Sequence, residues 1–439
     1  MNNLQKNISL GGNKPITPAA YSFQKIELEN HKGEVYEIQN VVAKFSITES
    51  IYSNTLMCKV NIKDTNNLIE DFPIIGQEKI RFSFFKPDVN GDKVKIILEF
   101  AITEYPTYGK TTEKYIQAFT LNGISNHAYN SEFKKISRAV EGSTSEIIES
   151  IMVGDLKEEN FVVDTPSDTR FQGILNYNTP LRCVEWLRKK SFTEGGSPFY
   201  FYQTLDGIIH LKSFSDICSE DIHNEYYDAR EFDYDVHTDD DFNQRKFRIL
   251  EITSDLKLSK FFLGMAGAYA SENYYLDIGN KQFTMEEFDG STISPLLNKN
   301  NSYSTEKTVV DETIDKQFQA HCEFTSINAF SFEGIDKNYN EMKKDSEGRT
   351  KAHLELLDST THDIKLFGDL ELNAGTVIKL NITRAIDPRE RDKTQNSQGG
   401  EHDKHMSGKY IITSAVHNFE NGEYYTNLRI KRDGFNITV

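Results

Sequence analysis

The sequence predicts a mainly β protein with a small α+β insert. Two stretches of strands predict it, and the composition agrees. In the C-terminal stretch, Ile378, Leu380 and Ile382, then Tyr410 and Ile412, then Leu428 and Ile430 alternate with Lys379, Asn381, Asn427 and Arg429. Period-two alternation sends each set to one face of a strand, so these are half-buried antiparallel strands. Between Val35 and Leu121 the pattern recurs with no helical interruption, as in Ala43, Phe45 and Ile47, or Cys58, Val60 and Ile62. Aromatic residues make up 12% of the chain and are mostly Phe (29) and Tyr (21), with one Trp, Trp186. That bias favours strands over helices.

The elements follow in order. Residues 1–20 are polar and punctuated by Gly and Pro, and are expected to form an arm. Residues 21–130 form a first β-domain, with strands also at Ile80–Phe84 and Val94–Ile102 and a turn at Asn90-Gly91-Asp92. Strands at short spacing argue for a small barrel or sandwich. Residues 131–230 change character and form an α/β domain. Ser143 to Glu146 has the form of a capping box, ahead of a helical stripe of Ile147, Ile148 and Ile151. Thr179-Pro180 places a cap and a proline at a second helix start, with Leu181, Val184 and Leu187 at helical spacing. A hairpin then joins Phe199–Tyr202 to Ile208–Phe214 through Asp206-Gly207. Residues 231–335 begin a second β-domain, with strands at Phe247–Leu258 and Tyr274–Phe283 and a loop at 289–308. A helix is expected at 336–360, anchored by Ala352, Leu354 and Leu357. Residues 361–439 supply closing strands, with Asn421-Gly422 giving the positive φ angles of a tight hairpin. Gly76 and Gly375 at strand starts, and Gly368 before the last strands, are the other backbone positions expected to matter.

Composition limits function. At 439 residues the chain is expected to hold roughly two to four domains. The net charge of −17 opposes tight, sequence-independent nucleic-acid binding, which needs clustered Lys and Arg. Cys58, Cys183, Cys218 and Cys322 are widely spaced, with no C-x-x-C pair, and are expected to be reduced, mostly buried thiols. No apolar run approaches the ~18 residues of a membrane span, and no signal peptide is expected. Phe261–Ala270 is read as buried core.

No residues are assigned to catalysis, to a cofactor or to a metal. His402 and His405 have half the makings of a metal site but lie in a charged loop, 387–407, where a solvated loop is the simpler reading. The acidic run Asp233, Asp235, Asp239, Asp240 and Asp241 lacks the glycine and terminal glutamate of a calcium loop. Gly264 to Ser271 lacks the Lys-Ser/Thr pair of a phosphate loop, and His417 is read as structural.

Four passages resemble the baseplate central hub protein of contractile-tailed, T-even-type bacteriophages, which is related to the hub barrels of type VI secretion spikes. Glu49–Tyr52 leads into Met57–Asp64, then Leu68-Ile69 and Ile75–Ile80, as in that family's first barrel. Thr179–Phe214 resembles its helix-then-hairpin insert, Phe262–Phe283 the approach to its second barrel, and Phe367–Arg432 its closing strands. The resemblance runs from about residue 35 to the C-terminus. The segments 285–310 and 387–407 look longer than the family pattern, so no role transfers to them.

The resemblance implies two similar antiparallel, tail-tube-like β-barrels per chain, with a small α/β domain and a connecting helix. It implies a homotrimer whose six barrels imitate a hexameric ring, which would adapt a hexameric tail tube to a trimeric central spike. Tube, spike and baseplate wedge proteins are then the expected partners, in a virion assembled in the host cytoplasm. DNA would pass through the lumen without specific binding, so lumen-facing strands are expected to be net negative. Wall-degrading activity would lie in a separate chain. Two alternatives stay open: a hub of a secretion or injection particle, and a cell-wall-degrading glycosidase or adhesin built on β-domains.

Overall fold

In the computed structural model of the chain the described residues are 23–65, 68, 72, 74–76, 78–87, 93–104, 108–110, 117–228, 246–256, 270–277, 281–289, 296–297, 320–327, 336–358, 360–384, 402–403 and 406–433. The arm, the Asn90-Gly91-Asp92 turn, the acidic run and most of Phe261–Ala270 lie outside them.

Eight strands open the chain: β1 Phe23–Glu29, β2 Val35–Glu37, β3 Val42–Ser50, β4 Met57–Asp64, β5 Lys79–Pro87, β6 Lys93–Ile102, β7 Tyr108–Lys110 and β8 Gln117–Ser125. They pair in the order β3-β4-β8-β6-β5-β1-β2, every pair antiparallel. A turn at 38–41 carries β2 into β3, so the order returns to its start and the sheet is a barrel. β7 lies along β8 beyond the end of β6. Leu28, Phe45, Val60, Phe82, Phe100 and Leu121 fill the interior. Each contributes roughly 1.5–3 kcal/mol by leaving water.

The α+β insert follows. It contains α1 Asn126–Glu132, β9 Ile136–Ser143, α2 Thr144–Glu149, a π-helical turn Ser150–Asp155, β10 Phe161–Val163, β11 Arg170–Asn178, α3 Pro180–Arg188, β12 Phe199–Gln203, β13 Ile209–Ser213 and α4 Phe214–Ser219. The capping box forms as expected, with Ser143 Oγ accepting from Glu146 N–H and the Glu146 carboxylate accepting from Ser143 N–H. Thr179 does not cap α3. Its hydroxyl is buried without a hydrogen-bond partner, and Pro180 at the first helical position sets the start.

The remaining strands are β14 Glu225–Asp228, β15 Arg248–Ile249, β16 Glu251–Leu256, β17 Ala270–Asp277, β18 Gln282–Asp289, β19 Ala320–Ile327, β20 Thr360–Phe367, β21 Val377–Asn381, β22 Gly408–Glu420 and β23 Glu423–Arg432, with helix α5 at Asp336–Asp358. Seven of these strands form a second barrel in the order β16-β20-β23-β22-β21-β14-β15. Leu250 joins β15 to β16 and closes it. Tyr226, Ile364, Leu380, Tyr410, Ile412 and Leu428 fill its interior.

The two barrels repeat one plan. In chain order and in pairing, β1 matches β14, β2 and β3 match β15 and β16, β4 matches β20, β5 matches β21, β6 with β7 matches β22, and β8 matches β23. One difference stands out. β14 is parallel to β15 and β21, because the chain arrives there from the insert and runs away from it.

A second insertion interrupts the later barrel between β16 and β20, where the earlier one has only the turn from β3 to β4. It holds the sheet β18-β17-β19 and α5. The expected strand at Tyr274–Phe283 is therefore a correction: it spans parts of two paired strands, β17 and β18, and β18 runs on to Asp289, where the expected loop begins. Both insertions sit at one end of the barrels. Ile51, Tyr200, Phe214, Leu357, Val377 and Ile411 pack there in a single cluster.

Candidate assembly surface

The barrels share a wall. β3 pairs antiparallel with the second half of β22, from Ser50 opposite Ser414 to Lys44 opposite Glu420. The result is one antiparallel sheet in the order β16-β20-β23-β22-β3-β4-β8-β7. Each barrel supplies four consecutive members, and the second four repeat the plan of the first.

The seam is held by a buried polar cluster. Glu49 on β3 is fully buried. Its carboxylate accepts from the Leu205 N–H of the insert at 2.8 Å and from the Ala374 N–H of the later barrel at 3.0 Å. His417 on β22 lies against it at 3.3 Å through Nε2, and its Nδ1 meets the Tyr424 hydroxyl at 2.7 Å. A neutral imidazole satisfies both contacts, Nε2–H donating to Glu49 and the tyrosine donating to Nδ1. Burial pushes the Glu49 carboxyl up from its ordinary value, against the lowering effect of His417 and the two backbone donors. Three parts of the chain thus converge on one side chain.

Aromatic rings cross the same seam. Phe419 stacks on Phe45 at 4.5 Å between centroids and on Tyr424 at 4.2 Å. Phe419 and Tyr424 come from β22 and β23 yet pack in the first barrel's interior. Gly368 makes room for Tyr424, since a Cβ there would stand 2.1 Å from its ring. Gly375 has φ +88°, and a Cβ would meet the Tyr202 hydroxyl at 2.5 Å. Gly76 has φ +91°, and its N–H, with that of Ile75, donates to the Glu78 carboxylate. Asn421 and Gly422, with φ +53° and +83°, form the expected tight turn.

The sheet face turned away from the two interiors is polar. Lys44, Lys59, Lys63, Lys365, Arg429 and Lys431 share it with Glu251, Asp255, Asp363, Glu420 and Glu423. Many of these charges are paired. Arg429 binds Asp363 through two nitrogens at 2.8 and 3.0 Å, and Lys365 reaches Glu251 at 3.3 Å. Cations and anions nearly balance, so the chain's net negative charge is not concentrated here.

The two ends of the sheet differ from its middle. Among the described residues β7 pairs only with β8, and β16 only with β20. Glu251, Thr253, Ser254 and Asp255 of β16 are exposed. Their counterparts in β3 include Ile47, which is completely buried beneath the seam.

Other candidate chemistry is sparse. His402 forms a β-bridge with Thr383, and His405 lies outside the described residues. Among the described residues no group of His, Cys, Asp and Glu is arranged to hold a metal ion. Cys58, Cys183 and Cys218 are buried free thiols, and burial pushes Cys58 up to about 12. A cavity of about 280 Å³ lies between the β3–β4 turn and the insert, but its one cation, Arg188, is engaged by Glu185 and the Phe199 carbonyl. No helix among the described residues is long and apolar enough to cross a membrane.

Solved structures share this architecture. A 43 kDa tail protein of prophage MuSo2 from Shewanella oneidensis matches with a TM-score of 0.53 at 10% identity, over 94% of this chain and 99% of that one. A tail protein from Neisseria meningitidis matches with a TM-score of 0.52 at 9% identity, over 94% and 97%. The chain has the fold of phage tail proteins. The E. coli c3393 protein, a component of the type VI secretion system, has a TM-score of 0.44 at 9% identity, over 93% of this chain and 77% of that one. No protein-family model and no curated protein sequence matches the chain.

Proposed function

We propose that the chain is the structural, non-enzymatic hub of a phage tail baseplate. Three copies form a ring of six barrels that joins a hexameric tail tube to a trimeric central spike. The observation that carries this reading is the repeat itself, one strand plan used twice in one chain and joined through a shared wall. Closed point-group rings are the usual outcome of head-to-tail contacts whose rotation closes.

The asymmetry of the two ends supports an adaptor. Both insertions occur once per chain and cluster at the end marked by Ile51 and Ile411. In a ring of three, that end is threefold and suits a trimeric spike. The opposite end carries the β22–β23 turn and, at the matching place, the last residue of β7, Lys110, opposite the first of β8, Gln117. It suits a sixfold tube. Wedge proteins then contact the outer surface, and the assembly belongs to the virion baseplate.

The polar sheet face lines the bore in this arrangement. With that face as the bore, the reading puts a nearly balanced set of Lys, Arg, Asp and Glu in the lumen, in place of the net negative one that the resemblance implies. Paired surface charges keep a duplex from adhering, since a cation held by a carboxylate has less to gain from a phosphate. Light scattering on the purified full-length chain tests the reading. It is expected to give three times the 50.4 kDa chain mass. A dimer, or clearing of peptidoglycan by the chain alone, would contradict it.

A further inference from the structure

Large apolar side chains stand in solvent at one end of the ribbon formed by β9 and β11 of the insert. Phe133, between α1 and β9, is 76% exposed, Tyr177 of β11 is 70% exposed and Ile174 of β11 is 56% exposed. The fold brings their segments together. Asn178 stands opposite Ile136, and Ile174 opposite Ala139, which is itself exposed. The Leu181 N–H at the start of α3 donates to Ser131 Oγ of α1 at 3.0 Å. Single exposed apolar residues are ordinary, whereas a group of them with a polar rim marks a contact site.

Tyr177 is held there against its backbone preference. Its φ is +46°, in the left-handed region that bulky side chains avoid, and it lies in a break of the ladder between Leu175 and Asn178. Glycine would adopt that backbone freely. The fold gains little from the ring in return, because most of it faces water. Strain of this kind, kept where packing does not need it, points to a contact outside the chain. The neighbouring charge is mostly positive. Lys134 and Arg138 are engaged by the Asp155 carbonyl and carboxylate. Lys135 and Arg182 are exposed and make no ion pair among the described residues, with Glu132 as a bordering acid.

We propose that this patch docks an acidic, amphipathic segment of a partner protein, with its apolar stripe on Phe133, Tyr177 and Ile174 and its carboxylates against Lys135 and Arg182. Charge complementarity selects the occupant. Free cations beside an apolar face favour an anionic partner and repel a basic one. A bilayer is the poorer fit, because two free cations and three side chains fall short of the broad apolar face or polybasic run that holds a protein on lipid. The proposal goes beyond the ring reading and does not depend on it.

Fluorescence anisotropy on the full-length chain tests it, with a labelled helical peptide of about 18 residues that carries Leu along one stripe and Glu elsewhere. Its counterpart with Lys in place of Glu is the control. The Glu peptide is expected to bind at least roughly tenfold more tightly than the Lys peptide, and Phe133→Ser to remove about that advantage. Lys135→Glu/Arg182→Glu is expected to reverse the preference. Tyr177→Gly is expected to weaken binding in the same way while leaving the thermal midpoint unchanged or higher, since it relieves the strain. A lower midpoint would make the ring a structural element and overturn the proposal. So would equal binding of the two peptides, or binding that the variants leave intact. Adsorption to vesicles of phosphatidylcholine and phosphatidylglycerol without peptide binding would assign the patch to a membrane instead. A smaller particle in light scattering for Phe133→Ser would assign it to a second copy of this chain. Either result overturns the partner named here.

Discussion

Glu49, on the first barrel, ties that barrel to the insert and to the later barrel by accepting hydrogen bonds from both. Replacing it with Ala leaves the Leu205 and Ala374 N–H groups and the His417 Nε2–H buried without an acceptor. A buried donor left unsatisfied costs about 1–3 kcal/mol. Urea unfolding of Glu49→Ala is expected to show a loss of that size, and a loss within experimental error would contradict the role given to it. His362 is a second residue whose protonation state matters. It is buried in the later barrel, where Nδ1 accepts from the Ser254 hydroxyl at 2.9 Å and Nε2–H donates to Tyr410 at 3.1 Å. Burial, with Arg432 nearby, lowers its pKa to about 4, and burial likewise lowers His353 to about 4. Both fall below the unfolded value of about 6.5, so the folded state binds fewer protons. Their contribution is fully present above about pH 6.5 and is lost as pH falls toward 4, on the order of 3 kcal/mol each. Stability measured against pH is expected to fall through that window, and less steeply in His362→Asn. An unchanged slope in the variant would rule His362 out.

At the scale of elements, the β22–β23 hairpin is the part that reaches across the seam. Its Phe419 and Tyr424 fill space in the first barrel, and Gly368 leaves room for the Tyr424 ring. Gly368→Ala forces that ring aside and is expected to cost about 1–3 kcal/mol, as overpacking does. Combining it with Tyr424→Leu is expected to recover part of the loss, because contacting residues are not additive. Full additivity in thermal unfolding would show that the two do not touch. The hairpin was legible in sequence through its alternation and through Asn421-Gly422, and α2 through its capping box. Other elements were not. β20 reads Thr360, His362, Ile364 and Leu366 along its inner face, and the two polar members blur its period. β17 and β18 merge in sequence because the turn between them is short, and the apolar Phe283 and Met285 face outward. The seam itself was invisible. Glu49 and His417 stand 368 positions apart, and a lone acid between Thr48 and Ser50 gives no local sign that it is buried.

At the scale of the whole molecule, the strand plan occurs twice in one chain. In the proposed ring, insertions that occur once per chain give threefold order to a collar of six barrels. The sequence carried the strands and the resemblance to tail hubs, but not the balanced charge of the shared sheet. Composition averages over the chain, whereas charge pairing across strands is local. End-on electron cryomicroscopy of the purified assembly tests the central claim most directly. The account predicts three copies around the axis with six similar barrel densities in one collar, three of them bearing the β17–α5 insertion. A collar of three densities, or of six in which every barrel bears an insertion, would contradict it.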